Sequence, residues 1–258
     1  MKVVILCGGK GVRLKEETET KPKPMIEIGG MPILWHIMKI YSHFGFAEFI
    51  LVLGYKKNLI KNFFLNYEAM SQDFTVELGN FNKIELHSQH KEKGWRITLV
   101  DTGEDTLKGS RIKQIERYIN DETFMLTYGD GVADIDLTKL LSFHNSHKKI
   151  ATVTAVRPPS RFGEIRARKG KVISFSEKPQ VSEGFINGGF FVFNRRIFDY
   201  LTENVDCDLE KDALEKLATQ DELMAYEHSL NWECMDTLRD MEHLNMLWKE
   251  EKAFWKVW

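Results

Sequence analysis

The chain has 258 residues, of which 43% are hydrophobic and 29% are charged, so it can bury a sizeable core in one large or two small α/β domains. Its formal net charge of −2 excludes a bulk electrostatic attraction to nucleic acid or anionic lipid. No apolar run approaches the roughly 20 residues of a membrane helix, and no signal peptide is expected. Three widely spaced cysteines predict neither a disulfide framework nor a zinc site. These features together predict a cytoplasmic protein with reduced thiols.

Predicted strands and helices alternate in the first part of the chain. Residues 2–7 are a continuous β-branched run stopped by glycine, which predicts a buried strand. A helix is expected over residues 32–44, a strand over 48–53 and a further helix over 58–67. This order is typical of a parallel sheet whose strands are joined by crossover helices.

The pattern then changes to short alternating segments, FTVEL, KIELH and RITLV, which predict a β-hairpin insert over residues 74–99. Near Gly170 the letters KGKV predict a turn between two strands. The other elements expected after the insert are helices over 111–119, 137–147, 196–201, 210–218 and 237–248, and strands over 123–127, 151–156 and 185–193. Because no linker or repeat is present, we expect a single domain over residues 1–258.

The loop after the first strand combines bare backbone with positive charge. Its candidate residues are Gly8, Gly9, Gly11, Arg13 and Lys23. Glycines let backbone N–H groups approach a phosphate closely, and the two cations could neutralise the same ligand. The alternative is an ordinary tight strand exit with solvated cations. The pattern is not a P-loop, because no Gly-Lys-Ser/Thr follows, and the dinucleotide fingerprint fails at Leu14.

Two aspartates stand where a carboxylate could hold a metal ion. Asp130 lies between glycines after an apolar strand, and ligands of open α/β sheets bind at such strand ends. An ordinary Asp-Gly turn is the alternative. Asp236 precedes an apolar helix, where it could instead be the N-cap in competition with Thr237.

Two further stretches stand out in the second half of the chain. Lys178 lies in the letters FSEKPQ, before Pro179. Gly188 and Gly189 interrupt an otherwise strong strand, INGGFFVFN, which predicts a bulge or a close backbone approach there.

Nine stretches taken together carry a resemblance to a known family. They are LCGGKGVRL, KPKPMIEIGGMPILWHIM, TLVDTGEDTLKGSR, FMLTYGDGVADID, PPSRFGEI, SFSEKP, INGGFFVFN, ELMAYEH and MDTLRDMEHLNMLW. They run in family order from near residue 1 to near residue 258, and with them the chain resembles the sugar-1-phosphate nucleotidyltransferases. The resemblance implies a Rossmann-like nucleotide-diphosphosugar transferase fold, with a mixed, mostly parallel sheet flanked by helices.

The resemblance also implies a reaction and its participants. CTP and α-D-glucose 1-phosphate would give CDP-glucose and pyrophosphate, with Mg²⁺ as the cofactor. The product would feed deoxysugar synthesis for a surface polysaccharide such as the lipopolysaccharide O-antigen. A homo-oligomer is implied, with a hexamer as one form, and neither nucleic acid nor membrane is an expected partner.

Roles carry over residue by residue onto the matching positions. The resemblance implies nucleotide binding by Leu6, Gly8, Gly9, Gly11, Arg13, Lys23, Arg111 and Asp130. It implies that Asp130 and Asp236 hold Mg²⁺, that Lys178 binds the sugar phosphate, and that Asn187 and Gly188 meet sugar hydroxyls. Catalytic charge stabilisation is implied for Arg13, Lys23 and Lys178.

The chain departs from the family pattern in two loops that are expected to meet the nucleotide. Val12 replaces a usual Thr or Ser, and Lys108-Gly109-Ser110 replaces Thr-Gly-Gly. A related nucleotidyltransferase with another sugar 1-phosphate or nucleotide, and a non-catalytic subunit of the same fold, therefore stay open as alternatives. A nicotinamide oxidoreductase is disfavoured because the glycine fingerprint fails.

Two segments are candidates for contacts between subunits. They are the insert over residues 74–99 and the aromatic tail FWKVW, whose Phe254, Trp255 and Trp258 would be a liability if exposed. In the alternative, both segments pack on their own domain.

Overall fold

The computed structural model describes residues 1–79, 83–88, 92–158, 164–168, 170–176 and 184–258. Its strands, in chain order, are β1 (Lys2–Cys7), β2 (Glu27–Ile28), β3 (Met31–Pro32), β4 (Glu48–Leu53), β5 (Phe74–Val76), β6 (Ile84–Leu86), β7 (Arg96–Asp101), β8 (Thr123–Tyr128), β9 (Gly131–Ala133), β10 (Ala151–Val156), β11 (Glu164–Arg168), β12 (Lys171–Ser176), β13 (Ile186–Asn194), β14 (Leu223–His228) and β15 (Trp232–Cys234). Its α-helices are α1 (Lys15–Thr18), α2 (Ile33–His43), α3 (Lys57–Leu65), α4 (Tyr67–Met70), α5 (Lys108–Gln114), α6 (Leu137–His147), α7 (Glu215–Thr219) and α8 (Leu238–Lys249). Short 3₁₀ turns occur at Val12–Leu14, Lys23–Met25, Glu116–Tyr118 and Arg195–Tyr200, and a π-helix at Leu209–Leu214.

One seven-stranded sheet organises the molecule, in the order β14-β10-β13-β8-β1-β4-β7. Strand β1 pairs in parallel with β4 and β8, and β4 pairs in parallel with β7. Strand β13 runs antiparallel to both β8 and β10. The predicted mixed, mostly parallel sheet is confirmed.

Both faces of this sheet are covered, because alternate residues of each central strand enter different cores. In β1, Val3 and Ile5 belong to the core on the side of helix α2, whereas Val4 belongs to the core on the opposite side. A strand buried on both faces reads as a continuous apolar run, which is why residues 2–7 were recognisable in the sequence. The elements predicted over 2–7, 48–53, 137–147 and 151–156 have the predicted bounds.

The predicted insert is smaller than expected. Strands β5 and β6 pair as an antiparallel hairpin, as predicted. The prediction for residues 96–99 is wrong, because β7 forms the edge strand of the central sheet in parallel with β4. The alternation of polar and apolar residues in β7 suits either location, because an edge strand and a hairpin strand both have one solvent-exposed face. The apolar side chains of the hairpin are exposed, so its role as a subunit contact stays a prediction.

The glycine pair in β13 marks a bulge, as predicted. The register between β10 and β13 shifts between Val153 and Ala155. Gly189 has φ +79°, and a Cβ on Gly188 would lie 2.7 Å from a methyl carbon of Val156. The backbone there is both irregular and too close to its neighbour for a side chain.

For Trp255, the alternative in which the aromatic tail packs against its own chain is the one that the structure has, because its side chain is 0% exposed. The Trp255 ring stacks against Trp248, and its Nε1 donates to His36 Nδ1 at 3.3 Å. Phe254 and Trp258 are partly buried against the same core. Within the described residues, every helix is too short or too polar to cross a bilayer.

Candidate active site

A cleft of about 560 Å³ opens where several parallel strands end. Strands β1 and β8 end at Cys7 and Tyr128, and the segments that follow them line the cleft. Ligands of open α/β sheets bind at this edge, because the connecting loops leave backbone groups free there. Its lining residues are Leu6, Cys7, Gly8, Gly9, Lys10, Gly11, Arg13, Lys23, Pro24, Glu104, Asp105, Thr106, Leu107, Lys108, Arg111, Tyr128, Gly129 and Asp130.

All eight residues predicted to bind a nucleotide therefore lie in one cleft. Leu6 and the glycines come from the end of β1, Asp130 from the end of β8, and Arg111 from helix α5. Lys23 arrives on a short 3₁₀ turn that follows Pro22. Their contacts with a nucleotide stay predictions, but the fold brings the whole set together.

Arg111 is buried beneath the glycine loop, which we define as residues 8–11, and only 4% of its surface is exposed. Its guanidinium donates to the Thr102 hydroxyl at 2.8 Å and to four carbonyl oxygens, those of Gly8, Leu53, Gly103 and Glu104, at 2.7–3.1 Å. These acceptors belong to the ends of strands β1, β4 and β7. Arg111 therefore joins three loops, and its prediction as a contact of the nucleotide base stays untested.

The need for glycine at position 8 follows from this arrangement. A Cβ on Gly8 would lie 2.3 Å from Nη1 of Arg111, far inside van der Waals contact. A Cβ on Gly54 would lie 2.4 Å from the same atom. Gly9 faces open space, because a Cβ added there would meet nothing within 4 Å beyond its chain neighbours. The first glycine of the loop thus accommodates the protein's own arginine, and the second leaves its backbone accessible.

Burial lowers the pKa of the Arg111 guanidinium, and the charges of Asp101 and Asp105 oppose that effect. Arginine nevertheless remains protonated in proteins, because its ordinary pKa is so high. The acceptors of Arg111 among the described residues are neutral. A positive charge with neutral acceptors beneath the loop favours an anion above it.

Lys23, Asp130 and Asp236 form an ionic cluster at the edge of the cleft. The Lys23 ammonium lies 2.6 Å from Oδ2 of Asp130 and 2.5 Å from Oδ1 of Asp236. The exposed Arg13 guanidinium lies 2.7 Å from the other oxygen of Asp236. The two aspartates predicted as metal ligands thus converge on a single cation.

Electrostatic effects in this cluster oppose burial and prevail over it. Burial lowers the pKa of Lys23, but the effect of Asp130 and Asp236 is larger and in the opposite direction. The pKa of Lys23 is therefore above its ordinary value. Burial raises the pKa of Asp236, but Lys23 and Arg13 bring it below its ordinary value. Both groups are therefore charged at neutral pH.

A small antiparallel ladder brings Asp236 next to Asp130. Strand β9 directly follows Asp130, and β15 pairs with it so that Cys234 lies opposite Gly131. The N–H of Met235 donates to the carbonyl oxygen of Asp130 at 2.9 Å. Two residues separated by more than a hundred positions thus become neighbours through three paired residues.

Asp236 is not the N-cap of helix α8, which was the alternative role considered for it. Thr237 is the N-cap of helix α8 and forms a capping box with Asp240. The Asp236 carboxylate is therefore free to bind Lys23 and Arg13. An N-cap hydroxyl satisfies the free N–H groups of the first turn as well as a carboxylate does, so the sequence alone left both options open.

Asn187 and Gly188, which are expected on the sugar side, lie next to the cleft. The Asn187 amide donates to the Tyr128 hydroxyl at 3.0 Å, and Tyr128 lines the cleft. The carbonyl oxygen of Gly188 accepts from Nε1 of Trp232 at 2.7 Å. Lys178 lies outside the described residues, so its role stays a prediction.

Two lysines in the cleft lining, Lys10 and Lys108, had no role assigned from the sequence. Lys10 lies within the glycine loop and pairs with Asp105 across the mouth of the cleft at 2.7 Å. Its position between Gly9 and Gly11 was a signal that could have identified it. Lys108 lies over the Tyr128 ring, 5.2 Å from its centroid, and pairs with Glu210.

Known proteins resemble this chain over its whole length. The family profile described as Nucleotidyl transferase matches residues 2–251. This chain belongs to the nucleotidyl transferase family. Glucose-1-phosphate cytidylyltransferase of Salmonella typhimurium is 50% identical to this nucleotidyl transferase over 259 positions, which cover 100% of both chains. The protein of the same name from Salmonella typhi is also 50% identical, again over 100% of both chains.

Solved structures agree with the fold of this nucleotidyl transferase. HddC from Yersinia pseudotuberculosis, in complex with GMP-PN, superposes with a TM-score of 0.69 at 23% identity. The superposition covers 96% of this chain and 99% of that one. The predicted fold class is therefore confirmed by the sheet topology and by this likeness.

Proposed function

We propose that this nucleotidyl transferase moves a cytidylyl group from CTP to α-D-glucose 1-phosphate, giving CDP-glucose and pyrophosphate. The full-length 50% identity to the Salmonella enzymes of that name supports this choice of substrates. The observation that carries it in the structure is the convergence of all eight expected nucleotide-binding residues on one cleft.

The chemistry needs positioning more than a catalytic base. A phosphate oxygen of the sugar phosphate is already ionised at neutral pH, so it can attack the α-phosphorus of CTP directly. The bond from that phosphorus to the bridging oxygen breaks, and pyrophosphate leaves. The barrier comes from repulsion between the anions and from charge growing on the leaving group, so fixed positive charge lowers it.

In this proposal, the described cations of the cleft stabilise this charge. Lys23 and Arg13 line the cleft, and Arg111 adds a buried positive charge beneath the glycine loop. The open backbone around Gly9 leaves room for phosphate oxygens near N–H groups. In this proposal, Lys23 and Arg13 contact the triphosphate, while Arg111 holds the loop in shape and contributes its field.

Asp130 and Asp236 fit a divalent metal ion, and Mg²⁺ is the proposed one. The two carboxylates already approach a single cation, the Lys23 ammonium, within 2.6 Å. No group of three or more His, Cys, Asp or Glu side chains suited to a metal occurs among the described residues. Mg²⁺ is commonly held by one or two carboxylates together with substrate phosphates and waters. When bound, it would neutralise phosphate charge and orient the phosphates for attack.

The sugar phosphate is expected beyond Tyr128, on the side of β13. Asn187 and Gly188 would meet the sugar hydroxyls, and Lys178 would bind the phosphate of the sugar. The contact of Asn187 with Tyr128 supports this placement, because Tyr128 forms part of the cleft wall.

A second candidate is a related nucleotidyl transferase that uses another nucleotide or another sugar 1-phosphate. The observation that favours it is Lys108, a position where the chain departs from the family pattern, which lines the cleft and pairs with Glu210. A non-catalytic subunit is disfavoured by the intact cluster of Lys23, Asp130 and Asp236.

Pyrophosphate release measured with all four nucleoside triphosphates and several sugar 1-phosphates separates these candidates. We expect CTP with glucose 1-phosphate to give the highest kcat/KM, with CDP-glucose identified by mass spectrometry. A higher kcat/KM for another pair would replace the proposed substrates. Turnover with no pair would indicate the non-catalytic subunit.

The wider setting is proposed on the same basis. We place the protein in the cytoplasm, where CTP is available, with CDP-glucose supplied to deoxysugar synthesis for a surface polysaccharide. A homo-oligomer is proposed because the hairpin of β5 and β6 exposes Phe74, Val76, Ile84 and Leu86. Exposed apolar side chains grouped in this way favour a protein contact.

A further inference from the structure

The hydroxyl of Tyr128, a partly buried residue of the cleft wall, links Glu210 to Asn187, the residue expected at the sugar. It donates to Oε1 of Glu210 at 2.6 Å and accepts from Nδ2 of Asn187 at 3.0 Å. Glu210 lies on the π-helix Leu209–Leu214, more than twenty positions from Asn187 in the chain. The stretch FMLTYGDGVADID contains Tyr128, but neither Tyr128 nor Glu210 had a role assigned from the sequence.

The orientation of the Asn187 side chain is determined by this link. Its Oδ1 accepts from the N–H of Gly189 at 2.8 Å, while its Nδ2 faces the Tyr128 oxygen. An amide nitrogen carries two N–H groups, and Nδ2 uses one of them for its acceptor among the described residues. The second N–H is available to a ligand, and it can donate to the oxygen of a hydroxyl group.

The direction of each hydrogen bond follows from the charge of Glu210. An ionised carboxylate only accepts, so the Tyr128 hydroxyl must donate to it and can offer only a lone pair to Asn187. That choice selects Nδ2, and not Oδ1, as the atom of Asn187 that faces Tyr128. Burial, followed by the charge of Glu210, raises the pKa of Tyr128, so its proton stays in place at neutral pH.

Close contacts with neighbouring residues also hold the Tyr128 ring and Glu210 in place. The Tyr128 ring lies so close to Gly189 that a Cβ there would be 2.7 Å from Cδ2 of the ring. The Lys108 ammonium lies over the Tyr128 ring, 5.2 Å from its centroid, and pairs with Glu210. The positions of Tyr128 and Glu210 are therefore defined before any ligand arrives.

We propose that Glu210, acting through Tyr128, is a positioning residue for the sugar substrate, which presents Asn187 as a hydrogen-bond donor to a sugar hydroxyl. This inference rests on the proposed function, because it takes Asn187 as a sugar contact. It adds two residues to the sugar site and defines which part of the Asn187 amide the sugar meets.

Three variants test the link through steady-state kinetics. Tyr128→Phe removes the hydroxyl, and Glu210→Ala removes the acceptor. We expect each to raise the KM for the sugar 1-phosphate about three- to tenfold, which corresponds to one lost hydrogen bond, with the KM for CTP changed less than about twofold. Glu210→Gln restores an acceptor oxygen without the charge, so we expect it to recover most of the loss.

The control is Tyr200→Phe, which removes a matched hydrogen bond from a surface tyrosine to Oε1 of Gln220 at 2.6 Å. It should leave both KM values unchanged. In an Asn187→Ala background, Tyr128→Phe should add no further increase to the KM for the sugar phosphate, because the effect passes through Asn187. Additive losses, or equal increases in both KM values, would overturn the proposal. A Glu210→Gln variant no better than Glu210→Ala would assign the effect to the Lys108 pair instead.

A spectroscopic readout keeps this test separate from the proposed reaction. The side-chain amide signals of Asn187, assigned by their loss in Asn187→Ala, are recorded by NMR on the ligand-free protein. They should shift in Tyr128→Phe and Glu210→Ala but not in Tyr200→Phe, and unchanged signals would refute the link. If the wild type does not use CTP with glucose 1-phosphate, the proposed reaction fails on that result alone. The kinetic comparison is then made with the pair that the pyrophosphate assay identifies.

Discussion

Replacing Gly8 by alanine should destabilise the protein through Arg111. The added Cβ would lie 2.3 Å from Nη1 and 2.4 Å from Cζ of Arg111, so the guanidinium must move. Its shift would weaken the hydrogen bonds that join the ends of β1, β4 and β7. The effect is therefore a property of the contact between the loop and a distant helix, not of the loop alone.

The magnitude can be worked from these contacts. Overpacking of a close-packed site costs roughly 1–3 kcal/mol. A buried polar group left without its partner costs roughly 1–3 kcal/mol more. We therefore expect Gly8→Ala to lower the free energy of unfolding by about 2–6 kcal/mol. For a chain of this size the Tm falls by roughly 2–4 °C per kcal/mol, so the expected decrease is about 4–24 °C.

Two other glycines provide the matched comparisons. A Cβ on Gly54 meets the same guanidinium at 2.4 Å, so Gly54→Ala should show a similar decrease. Gly9→Ala meets no atom within 4 Å beyond its chain neighbours, so its Tm should stay within about 2 °C of the wild type while CTP binds more weakly. Thermal and urea unfolding, with calorimetric titration of CTP, measure both effects. A wild-type Tm for Gly8→Ala, or an equal loss in Gly9→Ala, would refute the reasoning.

Four further outcomes are expected. Asp130→Asn should lower the rate of pyrophosphate release by at least about a hundredfold. The control is Asp221→Asn, which changes an exposed ion pair with Lys149 and should retain the wild-type rate. Equal rates in the two variants would remove Asp130 from the site. Lys178→Ala should raise the KM for the sugar phosphate about tenfold or more and spare the KM for CTP, and the reverse pattern would reassign Lys178. Val12 is 75% exposed, so the Val12→Thr variant should keep the wild-type Tm. This variant should bind CTP about two- to tenfold more tightly if the threonine hydroxyl contacts a phosphate. Unchanged affinity for CTP would exclude that contact. Burial lowers the pKa of His36 to about 4, so as the pH falls the unfolded chain takes up a proton on His36 before the folded protein does. The free energy of unfolding should therefore decrease by about 2–3 kcal/mol as the pH falls from 6.5 to 4. Urea unfolding of His36→Gln should show a flatter dependence of this free energy on pH, and an equally steep one would assign the loss to other groups.

Local features of the fold could be predicted because their physical causes lie within a few residues. The strand at Lys2–Cys7 is recognisable because a strand buried on both faces must be apolar throughout. The start and end of α2 follow from Pro32 at its N-cap and Gly45 just after it. The pair Gly188 and Gly189 indicated an irregular backbone for a similarly local reason.

Features that depend on a partner element could not be predicted in the same way. Alternation in RITLV suited a hairpin or an edge strand, and only the pairing of β7 with β4 decides between them. The burial of Trp255 depends on its contact with His36, which lies 219 positions earlier in the chain.

The sequence by itself determined which residue types were available to the cleft: glycines after the first strand, cations beside them, and aspartates at later strand ends. It also determined the alternation of elements, because hydrophobic periodicity is a local property of the chain. Only the tertiary structure decided what these residues contact. The β9–β15 ladder brings Asp236 to Lys23, and Arg111 takes the space next to Gly8. Such contacts depend on the packing of elements that lie far apart in the chain, and no local pattern contains that information.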